Sequence, residues 1–67
     1  MLPHRFGKML ARIRKEKGLT QMQLCKKARV SQGYLAKLER GDKTSPTLAT
    51  LQRLAKALKV NAKDLLP

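Results

Sequence analysis

The stretch Leu19 to Gly41, LTQMQLCKKARVSQGYLAKLERG, decides how this chain folds. Thr20 stands before a helical pattern with Gln23 three residues on. Its hydroxyl can accept from a first-turn amide while Gln23 reaches back to the Thr20 amide, so a helix starts at Gln21. Leu24, Cys25 and Ala28 then share one side at helical spacing, Gln21, Lys26 and Lys27 point mostly elsewhere, and Ala28 closes the helix. Ser31 is the next residue able to cap, and from Gln32 to Arg40 there is neither proline nor a β-branched side chain. A second helix therefore follows, ended by Gly41, which takes the left-handed C-cap conformation cheaply.

The second helix is divided. At about 100° per residue, Leu35 and Leu38 share a narrow inward stripe, Gln32, Gly33, Ala36, Lys37 and Arg40 spread over the opposite arc, and Tyr34 sits at the boundary. A solvated helix face is ordinarily filled with long, strongly helix-forming charged residues, whereas this arc begins with Gln, Gly and Ala. Small residues permit close approach. Gln donates and accepts at once to an adenine edge, Lys and Arg reach guanine or phosphate, and the free amides near Gln21 suit a phosphate. The partner this pattern fits is double-stranded DNA.

Charge agrees. Sixteen Lys and Arg against four Asp and Glu give a net charge of +12 and a pI near 10.8, as expected of a polyanion binder. Sixty-seven residues make one small domain with a single modest core and no room for a cleft between lobes. No Ser, His and acid set, P-loop or Cys/His metal spacing stands out, so neither an enzyme nor a bound cofactor or metal is expected. Cys25 has no second cysteine to pair with and lies on a packed helix side, which favours a structural thiol in a reducing compartment. No apolar run approaches a bilayer span and no signal-peptide core is present, so a cytoplasmic location is expected, away from the membrane. No repeat or linker marks a second domain.

Met1 to His4 read as a short leader, with His4 a surface residue. From about Arg5 to Lys17, Phe6, Met9, Leu10 and Ile13 recur at three- and four-residue spacing and define an amphipathic helix capped by Gly18. Gly7 fits either a helix start or a point of close packing. After Gly41 comes a polar loop, DKTSP. Thr47 caps a further helix with a stripe of Leu48, Leu51, Leu54, Ala55 and Leu58. Asn61 caps a last short turn, Ala62 to Leu66, with Asp64 at its positive end and Pro67 as its stop. Leu65 and Leu66 complete the core or form a docking surface for a second copy. The fold class is all-α, a compact bundle of four to five short helices.

The pattern T-Q-x-x-L-x-x-x-A-x-V-S-Q-x-x-L-x-x-L-E-R-G closely resembles the helix-turn-helix of Cro/repressor-type (Xre-like, lambda-repressor-like) DNA-binding domains. The resemblance runs upstream through R-K-E-K-G-L-T-Q, downstream through Pro46 and L-x-x-L-A-K-A-L-K-V, and covers about Phe6 to Leu66. It implies a sequence-specific transcriptional regulator, a repressor or autoregulator of a bacterium or phage, whose helix from Ser31 to Arg40 enters the major groove. Gln32 and Lys37 become the base-edge candidates and Gly33 and Ala36 the close-approach positions, with Gln21, Tyr34, Arg40 and Lys43 toward the phosphate backbone and Ser31 also counted as DNA-binding. Lys43 and Thr44 occupy the loop where such domains touch DNA. The resemblance also implies that Arg14 pairs with Glu39, clamping the first helix to the third, and that the chain works as a homodimer joined at its C-terminal end. One departure is Arg29, which stands where the family carries Gly; a left-handed backbone there costs Arg roughly 1 kcal/mol relative to Gly. Two other readings compete: an antitoxin or adaptor of the same fold whose main partner is a protein, and a cationic membrane-active helix, against which the several caps and glycine breaks argue.

Overall fold

In the computed structural model, which describes residues 5–42 and 46–66, the chain forms four α-helices and a closing 3-10 turn. The helices are α1 (Arg5–Glu16), α2 (Gln21–Ala28), α3 (Gln32–Arg40) and α4 (Leu48–Leu58), followed by the turn Ala62–Leu65. Three begin at the residues whose chemistry demands it. Thr20 Oγ1 accepts from the Gln23 amide at 3.0 Å while Gln23 Oε1 accepts from the Thr20 amide at 2.8 Å, a reciprocal cap. Ser31 Oγ accepts from the Tyr34 amide at 3.0 Å, and Thr47 Oγ1 from the Thr50 amide at 3.1 Å.

All four helices stop in the same way. Gly18, Arg29, Gly41 and Lys59 take the left-handed conformation, and the next residue's amide returns to a carbonyl five positions back: Leu19 to Arg14, Val30 to Cys25, Asp42 to Lys37, Val60 to Ala55. This satisfies carbonyls that would otherwise be stranded at the helix ends. The residue after the left-handed position is apolar in three of the four, Leu19, Val30 and Val60, and packs back on the core. Arg29 thus keeps the backbone expected of a glycine, with φ 59° and ψ 47°, and Lys59 does the same unannounced.

The core is a layer of leucines closed by Phe6. Leu10, Leu24, Leu35, Leu38, Leu54, Leu58 and Leu65 are fully buried with it, drawn from every element. α1 packs on α3, α2 on α3 and α4, and the closing turn on α4 and α1. Gly7 resolves as a close-packing point: a Cβ there would fall on the Leu38 carbonyl oxygen and lie 2.8 Å from that of Glu39. Only a residue without a side chain lets α1 cross α3 at that distance.

Three expectations need correction. Leu48 lies on the apolar stripe of α4, about 20° from Ala55 on the helical wheel, yet it is 67% exposed. It sits in the first turn, where none of the described residues covers it, and Thr50 is the buried residue of that turn instead. The first helix ends at Glu16 rather than Lys17, and the closing turn stops at Leu65. Leu65 completes the core while Leu66 remains 40% exposed. Asn61 does mark the start of that turn, where its amide donates to the Asp64 carboxylate at 3.0 Å. The expectations for Met1 to His4, Lys43, Thr44 and Pro67 lie outside the described residues.

Candidate nucleic-acid interface

The outer face of α3 follows from its inner one. Leu35 and Leu38 are fully buried, which turns Gln32, Gly33, Lys37 and Arg40 to the outside and leaves Tyr34 and Ala36 half-buried at the flanks. Nothing within 4 Å would meet a Cβ added to Gly33. Its backbone is therefore open, and the absence of a side chain there serves no packing inside the molecule. Ser31, exposed at the N-terminal end, spends its oxygen as an acceptor on the cap and keeps its O–H as a donor. Arg40 is exposed, and its Nε donates to Asp42 Oδ2 at 3.0 Å. An exposed pair of this kind is worth only about 0–1 kcal/mol, so it yields readily to a stronger anion.

One carboxylate fixes how the helices carrying this face are held. Arg14, on α1, donates from Nε to Glu39 Oε2 at 2.7 Å and from Nη2 to Glu39 Oε1 at 3.1 Å, a two-pronged match of planar groups. Both side chains are over nine-tenths buried. The third guanidinium nitrogen donates to the Leu19 carbonyl at 2.7 Å, just beyond the end of α1. Gln21, the first residue of α2, adds a donation from Nε2 to Glu39 Oε1 at 2.9 Å. The Gln21 link is absent from the sequence reading, which places that side chain only toward a phosphate. An amide nitrogen has two protons, so one remains for an outside acceptor. Glu39 therefore joins α1, α2 and α3 through three donor groups.

A second arginine acts at the other end of α2. Arg53, on α4, donates from Nε to the Ala28 carbonyl at 3.0 Å, capping α2 from outside it. Cys25, also on α2, is buried, its thiol raised above the ordinary value by loss of water, with the Glu39 carboxylate adding to the rise and Arg14 opposing it. Such a thiol is protonated and inert at neutral pH. Among the described residues no three His, Cys, Asp or Glu side chains converge as metal ligands would, and no helix is long and apolar enough to cross a membrane.

Two short capped helices joined by a three-residue turn, the second with a packed stripe and an open polar ridge, define a helix-turn-helix domain. A family model described as helix-turn-helix matches residues 10–65, and the chain belongs to that family, in its Xre/Cro-like branch. The immunity repressor protein of Bacillus phage phi105 is 50% identical over 52 residues, 78% of this chain and 35% of that protein. An HTH-type transcriptional regulator of Sinorhizobium fredii, y4dJ, is 48% identical over 59 residues, 88% of this chain and 75% of that protein. The chain thus spans about a third of one relative and three quarters of the other. Among solved structures, SinR, a master regulator for biofilm formation, superposes in its complex with DNA with a TM-score of 0.86 at 33% identity, over 90% of this chain and 95% of that one.

Proposed function

We propose that this chain is a sequence-specific double-stranded DNA-binding regulator of transcription, a repressor or autoregulator, acting in the cytoplasm and not as an enzyme. The observation that carries it is the open ridge of α3: Gln32, Gly33 and Lys37 exposed in succession above a fully buried pair of leucines. In this reading α3 lies in the major groove, Gln32 and Lys37 meet base edges, and Gly33 and Ala36 let the backbone come close. Gln21, Tyr34, Arg40 and Lys43 meet the phosphates, with Gln21 held in place by Glu39, and Ser31 contacts the duplex at the start of α3. The relatives named as repressor and regulator and the DNA-bound SinR support it. Two copies pair through the C-terminal end, where Leu66 is exposed, to read a two-part operator.

Gly33→Ala tests the ridge. In the free protein the methyl group enters open space and replaces a helix-disfavouring residue, so stability should be unchanged or up to about 1 kcal/mol higher. Against a duplex the same methyl obstructs. Selection from a random duplex pool yields a consensus; mobility shifts on it should then show Gly33→Ala weakened and Gln32→Ala relaxed at a base position. Unchanged affinity and base preference in both variants would sink the assignment. A two-fold symmetric consensus and a dimer mass in sedimentation are expected; an asymmetric site bound by one copy would remove the homodimer. The second reading, a main partner that is a protein, draws on a structure of the same SinR in complex with SinI.

A further inference from the structure

A second concentration of positive charge lies where α1, α2 and α4 end. Two adjoining concavities of about 470 and 310 Å³ meet there, sharing Lys27, Ala57 and Lys59. Arg29, Arg53 and Lys56 rim the larger and Lys17 the smaller. None of the residues assigned to the duplex lines either one. The accessible apolar lining is Ala57, common to both concavities, and Leu19 in the smaller, each half-buried.

None of the chain's four acidic side chains lines this groove. Glu16 lies 3.7 Å from Arg12, Glu39 is bound by Arg14, Asp42 by Arg40, and Asp64 accepts from the Asn61 amide. Cations at helix C-termini are favoured by the helix dipole, and that alone would account for lysines anywhere around the last turns. It does not account for the backbone. Of the four left-handed positions in the described residues, Gly18 and Gly41 hold glycine, and the two that hold Arg29 and Lys59 both line the larger concavity. The chain tolerates strain at both sites where a cation faces the groove, and strain retained in this way points to a surface that is used. Arg53, fastened to the Ala28 carbonyl, holds the α4 rim against α2.

We propose that this groove docks an acidic, amphipathic segment of a partner protein, its carboxylates among the Lys and Arg side chains and an apolar side chain on Leu19 and Ala57. A duplex offers phosphates on a convex surface and nothing to cover an apolar lining. A second copy brings only four acidic side chains, three of them already paired with its own arginines, and so has no acidic segment to offer this groove. This docking does not rest on α3 reading DNA.

The test uses fluorescence anisotropy with a labelled decapeptide of glutamate and leucine, against a polyglutamate decapeptide and a duplex of scrambled sequence. Lys27→Glu/Lys56→Glu reverses two exposed rim charges, and Lys15→Glu/Lys63→Glu makes the same charge change outside the groove. Both variants are first checked by thermal melting. The Glu/Leu peptide should bind the wild type more tightly than polyglutamate does, and the rim variant should lose about tenfold or more, equal to about 1.4 kcal/mol, with less than about threefold lost in the control. Equal loss in the two variants would reduce the effect to net charge, and equal binding of polyglutamate would remove the apolar lining from it. A scrambled duplex that displaces the peptide and loses affinity in the rim variant alone would make the groove part of the nucleic-acid surface, and the proposal would fall.

Discussion

Removing Arg14 or Glu39 alone should come close to unfolding this domain. The pair is bidentate, with both side chains under one-tenth exposed, so Arg14→Ala leaves a buried carboxylate that only the Gln21 amide still serves. Glu39→Ala leaves a buried guanidinium with the Leu19 carbonyl as its remaining acceptor. Breaking a buried pair from one side costs about 3–5 kcal/mol. At about 0.05–0.15 kcal/mol per residue, a domain of this size has roughly 3–10 kcal/mol in total. A loss of that size lowers the melting temperature by roughly 12–40 °C, taking about 4–8 °C per kcal/mol. The informative variant is the double, Arg14→Met/Glu39→Leu, set beside its own singles Arg14→Met and Glu39→Leu; in the double neither charge is stranded and the apolar volume is roughly kept. It should lose clearly less than the sum of the singles, a coupling of about 2 kcal/mol or more in a cycle of urea titrations followed by circular dichroism. Singles within about 0.5 kcal/mol of wild type, or a double equal to the sum, would refute the argument that stranded charge is the cause.

Gly7→Ala should destabilise by about 1–3 kcal/mol or more, because a methyl group there falls on the backbone of α3 rather than on a side chain that could move; a melt matching wild type would mean the helices can separate freely. Arg29→Gly should instead stabilise by up to about 1 kcal/mol, the relief of a left-handed Arg less the entropy a glycine adds to the unfolded chain, read by the same titration. Cys25, whose thiol is raised by burial, should react with iodoacetamide only at the rate of unfolding at neutral pH. Because its folded pKa lies above the unfolded value, its contribution to stability is fully present below the unfolded pKa near 9.0 and is lost as pH climbs through the folded pKa; Cys25→Ser should flatten that alkaline decline, and an unchanged slope would assign the decline to other groups.

The helices were legible because their limits are set by neighbours in sequence. Thr20 with Gln23, Ser31, Thr47 and the left-handed Gly18 and Gly41 act over one to four residues, and each does in the structure what its type implies. Periodicity told which side of a helix is apolar, and that is less than telling what lies over it. Leu48 has the right angle and no cover. Lys59 shows the opposite limit: nothing about a lysine announces a left-handed cap, and what imposes it is the return of the Val60 amide to the Ala55 carbonyl with Val60 turned to the core. At Arg29 the same force keeps the turn in the geometry a glycine would take, so the departure from the family pattern changes the side chain and not the backbone.

The candidate site was legible as a list of exposed residues, but its support was legible only in part: the Arg14–Glu39 clamp came through the family resemblance and the Gln21 link not at all, because these partners are distant in sequence. Glu39 belongs by position to α3 and by chemistry to its scaffold. It takes two donors from a residue twenty-five positions earlier and one from Gln21, eighteen earlier. A carboxylate that holds α1, α2 and α3 sets the angle between the helix proposed to meet the phosphates and the helix proposed to meet the bases. In that reading stability and recognition pass through the same two oxygen atoms. The clamp explains why Arg14 lies near an apolar stripe without being an error of the pattern: its charge is matched where it is buried, and its third nitrogen secures the chain at Leu19, one residue before the cap of α2. The open ridge of α3 is held in place by an arginine and a glutamate whose side chains are over nine-tenths buried.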